Sequence, residues 1–98
     1  MKQIVKWGII GLGNIAFEFA KSFYNTDNAE LIAVASKSEE KLSKFGEVFN
    51  IKNENLFNNY DKILENKNID IFYIALPNNF HFEWITKLIE KKRNILVE

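Results

Sequence analysis

The spacing of the hydrophobic positions changes several times along the chain. Ile4–Ile10 (IVKWGII) is a short apolar run that predicts a strand. From Asn14 the spacing turns helical: Ile15, Phe19 and Phe23 fall at i, i+4 and i+8, flanked by Ala16 and Ala20, which predicts a helix with that line inward. Ala29–Ser36 predicts a second strand. Glu39–Phe49 predicts a second helix with Leu42, Phe45, Val48 and Phe49 on one face. Ser38 stands where its N-cap belongs, and Glu39 and Glu40 suit the positive end of its dipole. Asn55–Phe57 predicts a short third strand, and Tyr60–Glu65 a short helix that buries Ile63 and Leu64. Ile69–Leu76 is almost wholly apolar, as a strand covered on both faces of a parallel sheet must be, and Pro77 ends it. Phe80–Lys92 predicts a last helix, with Asn79 as its cap and Trp84, Ile85, Leu88 and Ile89 inward. Lys91, Lys92 and Arg93 sit at its negative end, Asn94 suits a left-handed cap, and Ile95–Val97 is the final strand. This alternation predicts an α/β domain, and right-handed crossovers give a doubly wound parallel sheet in the order 3-2-1-4-5 with helices on both faces.

Composition narrows the reading. The 98 residues make one small domain, and 47% hydrophobic content with nine Phe supports a real core rather than disorder. Lys and Arg number 13 against 13 Asp and Glu, so no basic excess points to nucleic acid. There is no cysteine, which excludes disulfides and thiolate metal sites, and no metal site is expected. The N-terminal apolar run is too short to span a membrane and no small-residue cleavage site follows it, so a soluble, cytoplasmic protein is expected.

Candidate chemistry begins where the first strand meets the first helix. Gly11-Leu12-Gly13-Asn14-Ile15-Ala16 is G-x-G-x-x-A, the fingerprint of a dinucleotide-binding Rossmann turn. Gly11 permits the tight bend, Gly13 lets a pyrophosphate approach bare backbone, and Ala16 lets helix and strand pack closely. The N–H groups at Asn14 and Ile15 would face the phosphates. The competing reading is a tight turn with no ligand. Gly8 reads as a packing glycine within the strand. Ser36-Lys37-Ser38, after the second strand, supplies two hydroxyls and an ammonium where an NAD-specific site has a carboxylate on the ribose. That favours NADP, with NAD as the alternative. The competing reading makes Lys37 a solvated lysine and Ser38 only a cap.

A second cluster, Ala75-Leu76-Pro77-Asn78-Asn79-Phe80-His81, follows the fourth strand at the sheet's switch point, where open sheets bind ligands. Asn78 can reach the second ribose or the carboxamide of a nicotinamide. His81, the one histidine, reads equally as a site residue or as a structural histidine in the first turn of a helix.

Together these segments resemble the N-terminal domain of the Gfo/Idh/MocA oxidoreductase family. The resemblance covers essentially the whole chain and rests on WGIIGLGNIA, AVASKS, YDKIL, IDIFYIALPNNFH and NILVE. WGIIGLGNIA and SKS are most similar to the NADP-using branch near dihydrodiol and xylose dehydrogenases. The resemblance implies NAD(P)-dependent hydride exchange at a sugar, cyclitol or similar alcohol. It places Glu98 at the first member of the family's Glu-Lys-Pro motif, beside the cofactor, with the family's lysine following it. Residues 1–98 are therefore expected to be a cofactor domain cut short, with no catalytic residue of its own. The substrate and oligomerisation domain is expected to lie beyond. Such a piece is expected to bind cofactor without turnover and to self-associate through the apolar face left uncovered. Leu76 departs from the family, which often has Thr there, so no side-chain contact is carried over at that position. Two other readings stay open: a non-catalytic dinucleotide-sensing module, and a methyltransferase, which would want an acidic residue in place of Ser36.

Overall fold

The computed structural model describes residues 4–76, 78–91 and 93–97. Its strands are β1 (Val5–Ile10), β2 (Ala29–Ala35), β3 (Leu56–Phe57), β4 (Ile71–Ile74) and β5 (Asn94–Val97). Its helices are α1 (Asn14–Lys21), α2 (Glu39–Val48), α3 (Tyr60–Ile63) and α4 (Asn78–Glu90). Short 3-10 turns at Ser22–Asn25 and Asn53–Asn55 complete the path. All pairings are parallel and the sheet order is β3-β2-β1-β4-β5, the order expected from right-handed crossovers.

Period-two alternation in the central strands builds one core on each face. Ile9, Val34 and Tyr73 point to the side of α1 and α2, where they meet Ala16, Ala20, Leu42 and Phe45. Ile10, Ala33, Ala35, Phe72 and Ile74 point the other way, to Ile63, Leu64, Trp84 and Leu88. Both faces of β4 are buried, as its unbroken apolar run requires. Gly8 is the packing glycine expected: a Cβ there would lie 2.9 Å from Ile69 Cδ1. Among the described residues no helix is long and apolar enough to cross a membrane.

Several local expectations are corrected. The inward line of α1 is Ala16 and Ala20, both fully buried, while Ile15 is 52% exposed. The small side chains of Ala16 and Ala20 face the core on this side of the sheet, and Ile15 is turned out beside the glycine bend. Phe19 is half-buried and stacks on Tyr73 at 3.9 Å between ring centroids, while Trp7 meets both Phe19 and Phe23 edge-on. Val48 and Ile89, expected inward, are exposed. Asn79 lies inside α4, which starts at Asn78, so it is not the cap. Asn94 is not left-handed. The Arg93 N–H returns to the Leu88 carbonyl at 2.9 Å and closes α4 first, which releases Asn94 into β5 opposite Ile71. The one described non-glycine residue with positive φ is Asn50 (57°), just past α2, where the next N–H, from Ile51, returns to Gly46 at 2.9 Å.

Arg93 does more than balance a helix dipole. Its guanidinium donates to the carbonyls of Leu64 (2.7 Å), Asn66 (2.9 Å) and Ile69 (2.6 Å) and lies over the Phe72 ring. It therefore ties α4 to the whole α3–β4 connection. Burial lowers its pKa and the charge of Asp70 opposes that, and it stays a cation throughout the physiological range. Arg93→Ala removes three hydrogen bonds, although the Asn66 carbonyl keeps the Ile69 N–H as a second donor, and the change is expected to cost about 2–3 kcal/mol by chemical denaturation. Arg93→Lys, without the planar fork, should recover less than half.

Candidate functional site

Three strand-to-helix connections converge at the carboxyl end of the sheet. The N–H of Gly11 donates to Ala35 O at 2.9 Å, and the N–H of Ala75 donates to Ile10 O at 2.9 Å. The ends of β2, β1 and β4 are thus laced side by side. β1 is the strand from which the chain winds in both directions, so this is the switch point of the sheet.

Each glycine of the bend has its own reason. Gly11 has φ +92°, which L side chains rarely adopt. A Cβ there would also lie 2.8 Å from Leu76 Cδ2 and 3.0 Å from the Ala75 carbonyl oxygen. Gly13 is the opposite case. It is exposed and in ordinary extended backbone (φ −95°, ψ −166°), and a Cβ on it would meet nothing within 4 Å. The fold does not need a glycine at 13, and the open space above it is free for a ligand.

Helix α1 begins at that open space without help. Gly13 offers no side-chain cap and the first turn carries no acidic residue. The N-termini of α2 and α3 are capped and acidic. Ser38 Oγ accepts from the Lys41 N–H at 3.3 Å at the start of α2, which carries Glu39 and Glu40. Asn59 Oδ1 accepts from the Asp61 N–H at 2.8 Å at the start of α3. Of these three helix starts, α1 alone keeps its first N–H groups and dipole end uncompensated, and it faces the switch point. Asn14 and Ile15, both exposed, supply those N–H groups.

The Ser36-Lys37-Ser38 segment is also ordered. Ser36 is 5% exposed, the only buried polar residue among those described, and its N–H donates to Phe57 O at 3.0 Å. Its hydroxyl oxygen accepts from the Ser38 N–H at 3.1 Å. Both serine hydroxyls are thus engaged as acceptors, which leaves their protons to donate elsewhere. Lys37 is exposed, with its ammonium 5.5 Å from the centre of the Tyr60 ring.

In the second cluster Ala75 and Leu76 are half-buried beside Gly11. The backbone of Asn78 and His81 forms the first turn of α4, while their side chains lie outside what is described. Pro77 and Glu98 lie outside the described residues. Among the described residues no group of His, Asp or Glu is gathered to hold a metal. Sequence reasoning missed Tyr60 as a neighbour of Lys37. The fold creates that contact by placing the start of α3 beside the end of β2, and no spacing in the chain announces it.

The glycine bend, the bare helix mouth and the switch point fit the family whose model matches residues 5–98: Gfo/Idh/MocA, described as an oxidoreductase family with an NAD-binding Rossmann fold. The chain belongs to this family. The chain spans less than a third of the length of the relatives it matches. The D-xylose 1-dehydrogenase (NADP+) of Hypocrea jecorina is 32% identical over 107 residues, covering 96% of this chain and 27% of the relative. The dTDP-3,4-didehydro-2,6-dideoxy-alpha-D-glucose 3-reductase of Saccharopolyspora spinosa is 29% identical over 99 residues, covering 100% and 29%. Among solved structures, a 3-ketoreductase from Actinomadura kijaniata in complex with NADP and TDP-benzene superposes with a TM-score of 0.87 at 25% identity, over 97% of this chain and 29% of that one.

Proposed function

We propose that these residues form the cofactor domain of an NADP-preferring oxidoreductase that exchanges hydride with a sugar, cyclitol or similar alcohol. The observation that carries the reading is the pairing of an uncapped α1 N-terminus with open space above Gly13 at the switch point of the sheet. The diphosphate of a dinucleotide fits that space: it is anionic, it needs bare backbone, and it takes N–H groups left uncapped among the described residues. When bound, the nicotinamide supplies the hydride acceptor or donor. The residues of this chain bind and orient. Gly11 shapes the bend, Gly13, Asn14 and Ile15 hold the diphosphate, and Ala75, Leu76, Pro77, Asn78, His81 and Glu98 border the nicotinamide half.

Preference for NADP rests on the end of β2. Two hydroxyl protons and one ammonium suit a 2′-phosphate. Glu39 and Glu40 in the first turn of α2 work against it, although Glu39 Oε1 is drawn aside by Asn58 Nδ2 at 3.4 Å. A charge-assisted hydrogen bond contributes about 1.5–3 kcal/mol, roughly a 10- to 100-fold difference in affinity. Lys37 is exposed and the two glutamates oppose it, so the lower end applies. Lys37→Ala is expected to weaken NADPH about tenfold and NADH less than twofold, read by titration against tryptophan fluorescence. The NADPH preference should shrink as salt is raised. Equal losses for both cofactors would remove the 2′-phosphate assignment.

The names of the relatives support a sugar-like substrate, and their greater length supports a substrate pocket supplied by a further domain. On this reading the 98 residues alone bind cofactor without turnover. Leu96 on the edge strand β5, opposite Tyr73, is 41% exposed on the α1 side of the sheet, and Ile89 on α4 is 62% exposed on the other side. Uncovered apolar positions at this edge of the sheet favour self-association of the piece.

A further inference from the structure

The neighbours of Lys37 form a short ladder of rings and cations. Its ammonium lies 5.5 Å from the centre of the Tyr60 ring, Tyr60 meets Trp84 edge-to-face at 5.3 Å, and Lys87 lies 4.2 Å over the Trp84 ring. The two cations at the ends are not equivalent. Lys87 is bound to Asp61 at 3.2 Å and Glu83 at 3.5 Å. Lys37 forms no ion pair among the described residues, although Glu39 and Glu40 stand two and three positions further along the chain. It rests on a ring instead of a carboxylate, so its charge is held in place and left unneutralised.

Tyr60 is well placed to hold it. The ring is half-buried, packed against Trp84 and fixed at the first position of α3 directly after the Asn59 cap. Burial raises the pKa of its phenol, and a hydrogen bond from the Lys37 backbone opposes that. A free lysine samples many rotamers, and holding one beside the ribose site lowers the entropy lost when a phosphate binds.

We propose that Tyr60 is a specificity-positioning residue, whose ring holds the Lys37 ammonium ready for the 2′-phosphate of NADP. The inference rests on the assignment of Lys37 given above. It goes further in naming a residue, 23 positions along the chain from Lys37, that sets the choice between the two cofactors without contacting the reacting atoms.

Dissociation constants for NADPH and NADH, measured on the same preparations of wild type, Tyr60→Phe, Tyr60→Leu, Lys37→Ala and the Lys37→Ala/Tyr60→Leu double variant, test it. Tyr60→Phe keeps the ring and should keep the NADPH:NADH preference. Tyr60→Leu should lower that preference about two- to fivefold, the range one exposed cation–π contact allows, with NADH affinity unchanged. The double variant should show no smaller preference than Lys37→Ala alone. A Tyr60→Leu preference equal to wild type, with Lys37→Ala still reducing it, overturns the inference and leaves the Lys37 assignment standing. An equal fall for both cofactors also overturns it, because that marks a general packing defect. If Lys37→Ala leaves the preference unchanged, the Lys37 assignment fails and this inference falls with it. Should Tyr60→Leu not fold, the wild-type proton spectrum decides. Lys37 Hε protons over a ring face are shifted upfield of the other lysines, and an unshifted signal rejects the contact.

Discussion

Gly13→Asp is expected to abolish dinucleotide binding while the fold keeps or gains stability. The two effects have opposite signs because the residue has no structural need to be glycine. Its backbone is extended, and a Cβ would meet nothing within 4 Å. An aspartate at the N-cap accepts from the free N–H groups of α1 and complements its dipole, which is worth about 1 kcal/mol. The same carboxylate fills the space of the diphosphate and repels it, so affinity should fall at least about 100-fold, the equivalent of about 2.8 kcal/mol. Thermal denaturation and cofactor titration on one preparation check both halves. A variant that binds NADPH as wild type does would mean the bend is only a turn.

Gly11→Val has the reverse profile: the fold itself suffers. At φ +92° an L side chain costs about 1–2 kcal/mol, and a β-branched one more. The new Cβ would also press on Leu76 Cδ2 and on the Ala75 carbonyl. The leucine end can swing aside. The carbonyl cannot, because the Ala75 N–H is tied to Ile10 O and the peptides around it belong to the end of β4. We expect a loss of about 3 kcal/mol, or a fall in Tm of about 12–24 °C for a domain of this size. Cofactor binding should be lost with it. Comparison of the two glycines separates a residue that makes the bend from one that leaves room above it.

Much of this was legible in the chain. The sheet order follows from the alternation of strand and helix patterns and the handedness of crossovers, both local signals. The cap at Ser38 and the bend at Gly11–Gly13 also announce themselves, the cap because its partner lies three residues on and the bend because its glycine spacing is itself the signal. What stayed hidden depends on partners far along the chain. Arg93 reads as a dipole cation, and only the fold brings it to the carbonyls of Leu64, Asn66 and Ile69. Periodicity puts Ile15 on the inward line of α1, whereas the G-x-G-x-x-A spacing puts Ala16 at the helix–strand contact, and it is Ala16 that is buried. Asn94 looked left-handed until Arg93 closed the helix before it. Lys37 reads as the ammonium of the Ser36–Ser38 segment, and only the fold shows Tyr60, 23 residues on, beside it.

A crystal structure of the chain with NADPH bound bears most directly on the assignment. The nucleotide should appear with its diphosphate against the N–H groups of Asn14 and Ile15, bare backbone of Gly13 beneath it, and its 2′-phosphate beside Ser36 and Lys37. Well-defined nucleotide density at any other place on the molecule contradicts the account.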